Sequence, residues 1–175
     1  MIITGGKYRN RKIIAPDERI TRPTLSKIRQ CVFNSLYSMI GDFEGKSFLD
    51  LFGGSGIMGL EALSRGFEEV LVFEKNPKIA QILKKNYQEL KLHPELKIGD
   101  SLNLIKNINH KFDVIYIDPP YYQNIYTSIL EKLLILDLEN TIIVVEHVEP
   151  LDMQNYTLIK EKKISDKKIS FMQRC

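Results

Sequence analysis

The sequence contains few of the residues that build disulfide frameworks and metal sites. Its 175 residues include two cysteines, Cys31 and Cys175, and three histidines, His93, His110 and His147. Neither set has the spacing that is typical of a disulfide framework or of a metal site. We therefore expect a reduced, cytoplasmic protein without a bound metal ion, in which Cys31 packs on a helix and His147 is structural.

Long apolar runs are also absent. Glu74, Asp118 and Glu146 interrupt the longest ones well below the roughly 18 residues that indicate a membrane helix. The first twelve residues, MIITGGKYRNRK, lack the apolar stretch of a secretory signal. Hydrophobic residues make up 43% of the chain and charged residues 27%, which is typical of globular proteins and excludes disordered and fibrous classes. We expect a monomer without membrane contact.

The charged residues that are present are unevenly distributed. The net charge is +3, but residues 1–29 carry eight basic and two acidic residues and residues 160–175 carry six basic and two acidic ones. The segment between them is therefore acidic. Arginines in the first segment suit phosphate groups, because a guanidinium pairs with them in a planar fork, and they indicate a nucleic-acid partner. The lysines of the last segment are equally well explained as a solvated surface.

From residue 41 onward, apolar runs of strand length alternate with segments of helical periodicity. Before them, Leu25, Ile28, Val32, Leu36 and Ile40 recur every three or four residues and predict a helix, with Thr24 as its N-cap. The runs that predict strands are SFLDLF, VLVFE, LKIG, FDVIYID, TIIVVEHV and two C-terminal segments. This alternation predicts one α/β domain with a mostly parallel sheet and helices on both faces.

A glycine-rich segment follows the first predicted strand. Gly54, Gly56 and Gly59 have the spacing of a dinucleotide-binding turn, and Glu74 lies twenty residues after Gly54, where a ribose-binding acid belongs. Asp50 precedes the glycines, where its carboxylate would repel a pyrophosphate. The same carboxylate suits a ligand with a sulfonium and an amino group, such as S-adenosyl-L-methionine.

A second motif, Asp118-Pro119-Pro120-Tyr121, ends the fourth predicted strand at the same edge of the sheet. Prolines that merely end a strand would not explain the adjoining acid and aromatic residue. The Asp118 carboxylate and the Pro119 carbonyl can accept the two N–H groups of an exocyclic amine, and Tyr121 can stack on its base. These residues therefore predict methylation of an amino group on a nucleobase.

These motifs resemble the RsmD-type 16S rRNA (guanine-N2)-methyltransferase family. The resemblance is carried by DLFGGSGIMGLEALSRG, DPPY, GGKYRNRKI, TRPTLSKIRQCVFN, VVEH and DKKISFM. It implies a class I methyltransferase domain, a Rossmann-like seven-stranded sheet, over residues 41–175, after a basic extension and first helix over residues 1–40. It also implies methylation of guanine N2 in 16S rRNA or an assembling small ribosomal subunit, without a metal. This sequence departs from the family at Asn10, which replaces a usual glycine, and at Gly53, which replaces a usual alanine.

The resemblance assigns roles to individual residues. In the cofactor site, Asp50, Gly54, Ser55 and Gly56 would hold the methionine end, Glu74 the ribose, and Asp100 with Ser101 the adenine edge. Two of these residues also have a purely structural explanation, since Glu74 could be an exposed acid at a strand end and Asp100 could be a helix N-cap. The RNA-binding residues would be Lys7, Arg9, Arg11, Arg22 and Thr24.

Three other functions are compatible with parts of the sequence. A DNA adenine-N6 methyltransferase shares the DPPY chemistry but normally has a target-recognition domain. A nicotinamide oxidoreductase would leave DPPY unexplained. An RNA-binding module without activity predicts loss of Asp50, Glu74 or Asp118, and all three are present.

Overall fold

A computed structural model describes residues 1–16, 24–120 and 125–175. The described helices are α1 (Ser26–Ile40), α2 (Ile57–Arg65), α3 (Pro77–Glu89), α4 (Ser101–Leu104) and α5 (Ile125–Leu133), and a 3-10 turn (Ile105–Asn107) follows α4. The strands are β1 (Ser47–Asp50), β2 (Glu69–Glu74), β3 (Glu95–Ile98), β4 (Val114–Ile117), β5 (Ile142–His147), β6 (Tyr156–Ile164) and β7 (Lys167–Arg174). The predicted alternation of strands and helices is confirmed.

The seven strands form one sheet in the order β3-β2-β1-β4-β5-β7-β6. Strands β1 to β5 are parallel, and β7 runs antiparallel to both β5 and β6. The strand order reverses between β1 and β4, so the carboxyl ends of these two strands flank the crevice where parallel sheets bind ligands. The glycine segment and the DPPY motif follow β1 and β4, as the sequence predicted.

Two hydrophobic cores cover the two faces of the sheet. Because side chains alternate along a strand, Phe48, Tyr116, Val144 and Phe171 lie in the core that also contains residues of α1, α2 and α3. The intervening residues of the same strands, such as Leu49, pack with α5 and the segment that follows α4. In the described part of the chain, no helix combines the length and apolar character needed to cross a membrane.

The N-terminal extension is a short hairpin that packs on α2. Ile2 and Lys12 form an antiparallel bridge, and the turn between them contains Asn10 with a φ of 68°. Asparagine tolerates this left-handed conformation better than most residues, so it can replace a glycine there. The hairpin is held at its centre by the buried Glu61 of α2, whose Oε1 accepts hydrogen bonds from the Thr4 backbone N–H and hydroxyl, both at 2.7 Å.

One local prediction is wrong. The residue that flanks the start of α1 is Leu25, which has no side chain able to cap the helix, whereas Thr24 lies one residue earlier and makes no cap. Thr24 instead lines the same cavity as Tyr116 of the sheet, and its backbone carbonyl accepts from the guanidinium of Arg29. The residue therefore borders a tertiary cavity and does not cap its own helix.

Candidate active site

The segment between β1 and α2 is a tight turn held against β2. Gly54 and Gly56 have φ values of 51° and 74°, a region that residues with a side chain rarely adopt. The Gly53 N–H donates to the Phe73 carbonyl at 2.7 Å, so this turn stays attached to the neighbouring strand. The Ser55 hydroxyl accepts from the N–H of Ile57 in the first turn of α2. The backbone of the turn therefore lies in the crevice beside β1.

Glu74 ends β2 and connects two loops. One carboxylate oxygen accepts from the Gly54 N–H at 2.8 Å and the other from the Asn76 N–H at 2.7 Å. Only 9% of the residue is exposed, which contradicts the alternative of an exposed acid at a strand end. Burial raises the pKa of Glu74, while the backbone N–H groups oppose that rise. The carboxylate thus fixes the glycine turn, and each oxygen keeps a lone pair for a further donor.

Asp50 is a buried carboxylate with one unsatisfied oxygen. Its Oδ1 accepts from the Phe52 N–H at 3.1 Å, but its Oδ2 has no hydrogen-bond partner among the described residues. Burial, with Asp118 and Glu74 nearby, raises the pKa of Asp50 to about 7. A buried acceptor without a partner is costly, so this oxygen is suited to a cationic donor on a ligand.

Asp100 and Ser101 follow β3, and both already have partners in the protein. The Asp100 side chain accepts from the Leu102 N–H at 3.1 Å and so caps α4, which confirms the alternative of an N-cap. It also pairs with Lys75 at 2.8 Å, and this contact lowers the pKa of Asp100. The Ser101 hydroxyl donates to the Leu51 carbonyl. Contact of these two residues with an adenine stays a prediction.

The start of the DPPY motif lies across the crevice from the glycine turn. Asp50, the last residue of β1, pairs in register with Tyr116 of β4. Asp118 lies two residues after Tyr116, so it follows the end of β4 next to the end of β1. Asp118 is half-buried, Pro119 is buried and Pro120 is exposed. Tyr121 lies outside the described residues. The structure therefore brings the predicted cofactor carboxylate and the predicted catalytic carboxylate to adjacent strand ends.

A chain of polar groups beneath Asp118 was not predicted as part of the site. Lys167 of β7 pairs with the buried Glu146 of β5 and lies 3.9 Å from an Asp118 oxygen. The Tyr116 hydroxyl donates to the other Glu146 oxygen at 2.8 Å, and burial raises the pKa of Tyr116. The sequence did contain a signal for these two residues. Every second residue along β5 and β7 packs in the core, and Glu146 and Lys167 stand at positions that continue this alternation.

Other predicted residues lie away from this crevice. Backbone N–H groups of Lys7 and Tyr8 bond to Ser64 near the C-terminal end of α2, the end opposite the glycine turn. Lys7, Arg9 and Arg11 are exposed there, and Arg22 lies outside the described residues. His147 is buried and bonded through both ring nitrogens, to the Glu149 carbonyl and the Ser170 hydroxyl, as expected of a structural histidine.

The crevice forms a cavity of about 470 Å³. Its walls combine apolar side chains with three carboxylates, two lysines and the backbone of the glycine turn. These residues fit a ligand that has an apolar or aromatic body, hydroxyl groups and a positive charge. The lining residues that carry this chemistry are Thr24, Gly53, Gly54, Ser55, Glu74, Lys75, Asp100, Ser101, Tyr116, Asp118, Pro119 and Lys167. Asp50 is buried at the end of β1 and is not among them.

Comparison with known proteins gives consistent matches over most of the chain. The model of a family described as conserved hypothetical protein 95 matches residues 1–173. A Haemophilus influenzae protein named ribosomal RNA small subunit methyltransferase D is 34% identical over 170 residues, which cover 91% of this chain and 86% of that protein. Bacillus subtilis YlbH, described as a candidate rRNA methyltransferase, is 33% identical over 162 residues, with coverages of 87% and 85%.

The fold is also similar to that of a solved structure. Escherichia coli yhhF, described as a candidate methyltransferase, superposes with a TM-score of 0.82 at 26% identity. The superposition covers 99% of this chain and 97% of that chain.

Proposed function

The chain belongs to the RsmD-type family, whose model is described as conserved hypothetical protein 95, and has its Rossmann-like class I methyltransferase fold; we propose that it methylates the exocyclic N2 of a guanine in small-subunit rRNA. One observation carries the proposal of methyl transfer. An unsatisfied buried carboxylate, Asp50, lies at the strand end adjacent to the Asp118-Pro119-Pro120 segment, which lines the crevice. This pairing suits a cationic methyl donor next to an amine acceptor.

The donor in this proposal is S-adenosyl-L-methionine, which supplies an electrophilic methyl group on a positively charged sulfur. The unsatisfied oxygen of Asp50 fits its cationic methionine end, since a charge-assisted bond there would satisfy a buried acceptor. Glu74 would accept ribose hydroxyls while it holds the glycine turn. The Gly54, Ser55 and Gly56 backbone would contact the methionine end, and Asp100 with Ser101 would border the adenine.

The acceptor is positioned by the DPPY motif. Asp118 and the Pro119 carbonyl would accept the two N–H groups of the amine, which directs its remaining lone pair toward the methyl group. A carboxylate at this place also stabilises the positive charge that develops on the nitrogen as it gains the methyl group and before it loses a proton. Such positioning can lower a barrier by about 7–11 kcal/mol. Tyr121 would stack on the base.

The proposal of rRNA as substrate is supported by the relatives' names and by charge. One similar protein carries the name ribosomal RNA small subunit methyltransferase D, and another is described as a candidate rRNA methyltransferase. The exposed Lys7, Arg9 and Arg11 of the hairpin, at the end of α2 opposite the glycine turn, are suited to contacts with phosphates a few nucleotides from the target base. A guanine must leave its stack to reach the crevice, which costs a few kcal/mol that such contacts would offset.

The direct experiment is transfer of tritiated methyl groups to small ribosomal subunits from cells that lack the endogenous activity. We expect label in N2-methylguanosine after nucleoside analysis. Asp118→Asn should bind S-adenosyl-L-methionine normally and lose at least about 10²-fold in transfer, because the amine loses a charged acceptor. The matched control is Asp152→Asn, an exposed aspartate before β6, which should transfer normally.

Two results would contradict the proposal. Label in N6-methyladenine of DNA, with none in subunits or free rRNA, would move the substrate to the alternative class. Normal turnover by Asp118→Asn would exclude the assigned role of the carboxylate.

A further inference from the structure

Lys167 is a buried cation in the lining of the crevice. Its ammonium group pairs with Glu146 and lies 3.9 Å from the Asp118 Oδ1. Only 6% of Lys167 and 1% of Glu146 are exposed. Lysine is rarely buried to this degree without a charged partner, so the arrangement depends on the carboxylates around it.

Strand register explains how these groups meet. Ile117 of β4 pairs with Val145 of β5, so the next residues along the two parallel strands, Asp118 and Glu146, are neighbours. On the other side of β5, the antiparallel register pairs His147 with Lys168 of β7, which places Lys167 beyond the end of β5. The lysine therefore reaches across the carboxyl end of β5 toward Asp118.

The contact is part of a longer polar chain. Glu146 Oε2 accepts from the Tyr116 hydroxyl at 2.8 Å, and the Glu146 backbone carbonyl accepts from the Tyr126 hydroxyl of α5 at 3.0 Å. The Tyr116 bond therefore holds the Glu146 carboxylate beside Lys167, and the Tyr126 bond holds the backbone of the same residue. Its fixed position in turn fixes the ammonium group beside Asp118.

We propose that Lys167 is a positioning residue for methyl transfer, which holds the Asp118 carboxylate ionised and oriented toward the acceptor amine. This inference rests on the proposed function and adds a residue to it. Glu74 and Asp118 line the crevice, and both carboxylates repel the buried carboxylate of Asp50. A buried cation next to Asp118 offsets that repulsion where an ionised acceptor is needed, while Glu146 keeps the cation from moving to another carboxylate.

If Lys167 had only a structural role, its loss would lower activity only by destabilising the protein. A double variant distinguishes this role from the positioning of Asp118. Lys167→Met leaves Glu146 buried without its cation, so this variant alone should lose both stability and activity. Adding Glu146→Gln removes the unpaired charge and retains an oxygen for the Tyr116 hydroxyl. We expect the double variant to melt near the unaltered protein and yet to remain slow.

The measurements are the melting temperature, the Kd for S-adenosyl-L-methionine, and kcat and KM for small ribosomal subunits. In the double variant we expect an unchanged Kd, a KM within about twofold and a kcat reduced by about 10²-fold, the scale of a misplaced reacting group. Lys167→Arg, which keeps the charge, should recover part of kcat. Lys168→Met is the matched control, since Lys168 itself pairs with the partly exposed Glu161, and it should leave kcat unchanged.

The outcomes distinguish this inference from the function on which it rests. If the unaltered protein labels subunits and the double variant recovers kcat together with its melting temperature, Lys167 is structural and the inference is wrong. If the unaltered protein binds S-adenosyl-L-methionine but labels no RNA, the proposed function itself is wrong, whatever the double variant does. A slow double variant with normal stability and cofactor binding supports the positioning role.

Discussion

At the scale of single residues, Asp50 links the cofactor site to stability. Burial raises its pKa from 3.8 to about 7, so between these values the folded protein holds a proton that the unfolded chain releases. Its contribution to stability is therefore fully present below about pH 4 and is lost as the pH rises through 7. A rise of this size corresponds to on the order of 4 kcal/mol.

We accordingly predict that Asp50→Asn removes part of the pH dependence of stability. The difference in free energy of unfolding between this variant and the ligand-free unaltered protein should change by up to about 4 kcal/mol from pH 4 to pH 8 in favour of the variant. Urea unfolding at four pH values measures it. If the free energies of unfolding of the two proteins change with pH in the same way, Asp50 titrates normally in the folded state.

The glycine turn offers a second prediction at this scale. A Cβ built on Gly53 would lie 2.5 Å from the Val72 Cγ1 and 3.1 Å from the Phe73 carbonyl oxygen. Gly53→Ala should therefore destabilise the protein by about 1–3 kcal/mol, the usual cost of overpacking. Val72→Ala removes the Cγ1 atom that the new Cβ would contact, so the variant with both changes should lose less stability than the sum of the losses in the two single variants. Strict additivity in urea unfolding would contradict this coupling.

At the scale of elements, Glu61 joins three segments. This fully buried residue of α2 accepts from Thr4 of the hairpin, from Arg29 Nε of α1 at 3.1 Å and from Arg65 Nε at 3.2 Å. Arg29 is also buried and donates to the Ile2 carbonyl at 2.8 Å. One carboxylate thus holds the N-terminal extension and the first helix on the sheet domain.

We predict that Glu61→Ala costs about 3–5 kcal/mol of stability, because it leaves the Arg29 guanidinium buried without its carboxylate. The hairpin should also become sensitive to trypsin at Lys7, Arg9 and Arg11. Urea unfolding and timed proteolysis test the two effects, with Glu68→Ala as the control at an exposed glutamate after the same helix. Equal stability of the two variants would show that the hairpin is held by other contacts.

At the scale of the whole molecule, the basic hairpin and the crevice lie at opposite ends of α2. This helix has nine residues, so the two are separated by about 13 Å along its axis. That distance is a few nucleotides of single-stranded RNA. A substrate that enters the crevice could therefore contact the hairpin with phosphates near the target base.

We predict that replacing Lys7, Arg9 and Arg11 with glutamine weakens RNA binding and reduces its salt dependence. Each lost phosphate contact should lower the slope of log K against log salt by about 0.7–0.9. Binding of a small-subunit rRNA fragment at four salt concentrations measures the slope. The control replaces Lys162 and Lys163 on the edge strand β6; if only that variant changes the slope, the C-terminal lysines carry the RNA contacts instead.

Much of the fold followed from local patterns. The alternation of apolar runs with helical periodicity was sufficient to predict the α/β class, and glycines and prolines at strand ends located the crevice. Thr24 shows where such reasoning fails, because it lines a cavity with Tyr116, about ninety positions away, and does not cap its own helix. A capping pattern carries no information about a partner that is brought close only by folding.

Sequence pattern alone was sufficient to predict the α/β class with a mostly parallel sheet, the glycine turn, and the position of Asp50, Glu74 and Asp118 at one sheet edge, since the carboxyl ends of parallel strands share an edge. The strand order, the bond from the glycine turn to Glu74, the unsatisfied oxygen of Asp50 and the position of Lys167 beside Asp118 became visible only in the folded chain. These facts depend on burial and on the register of antiparallel strands, which are set by contacts between distant parts of the chain.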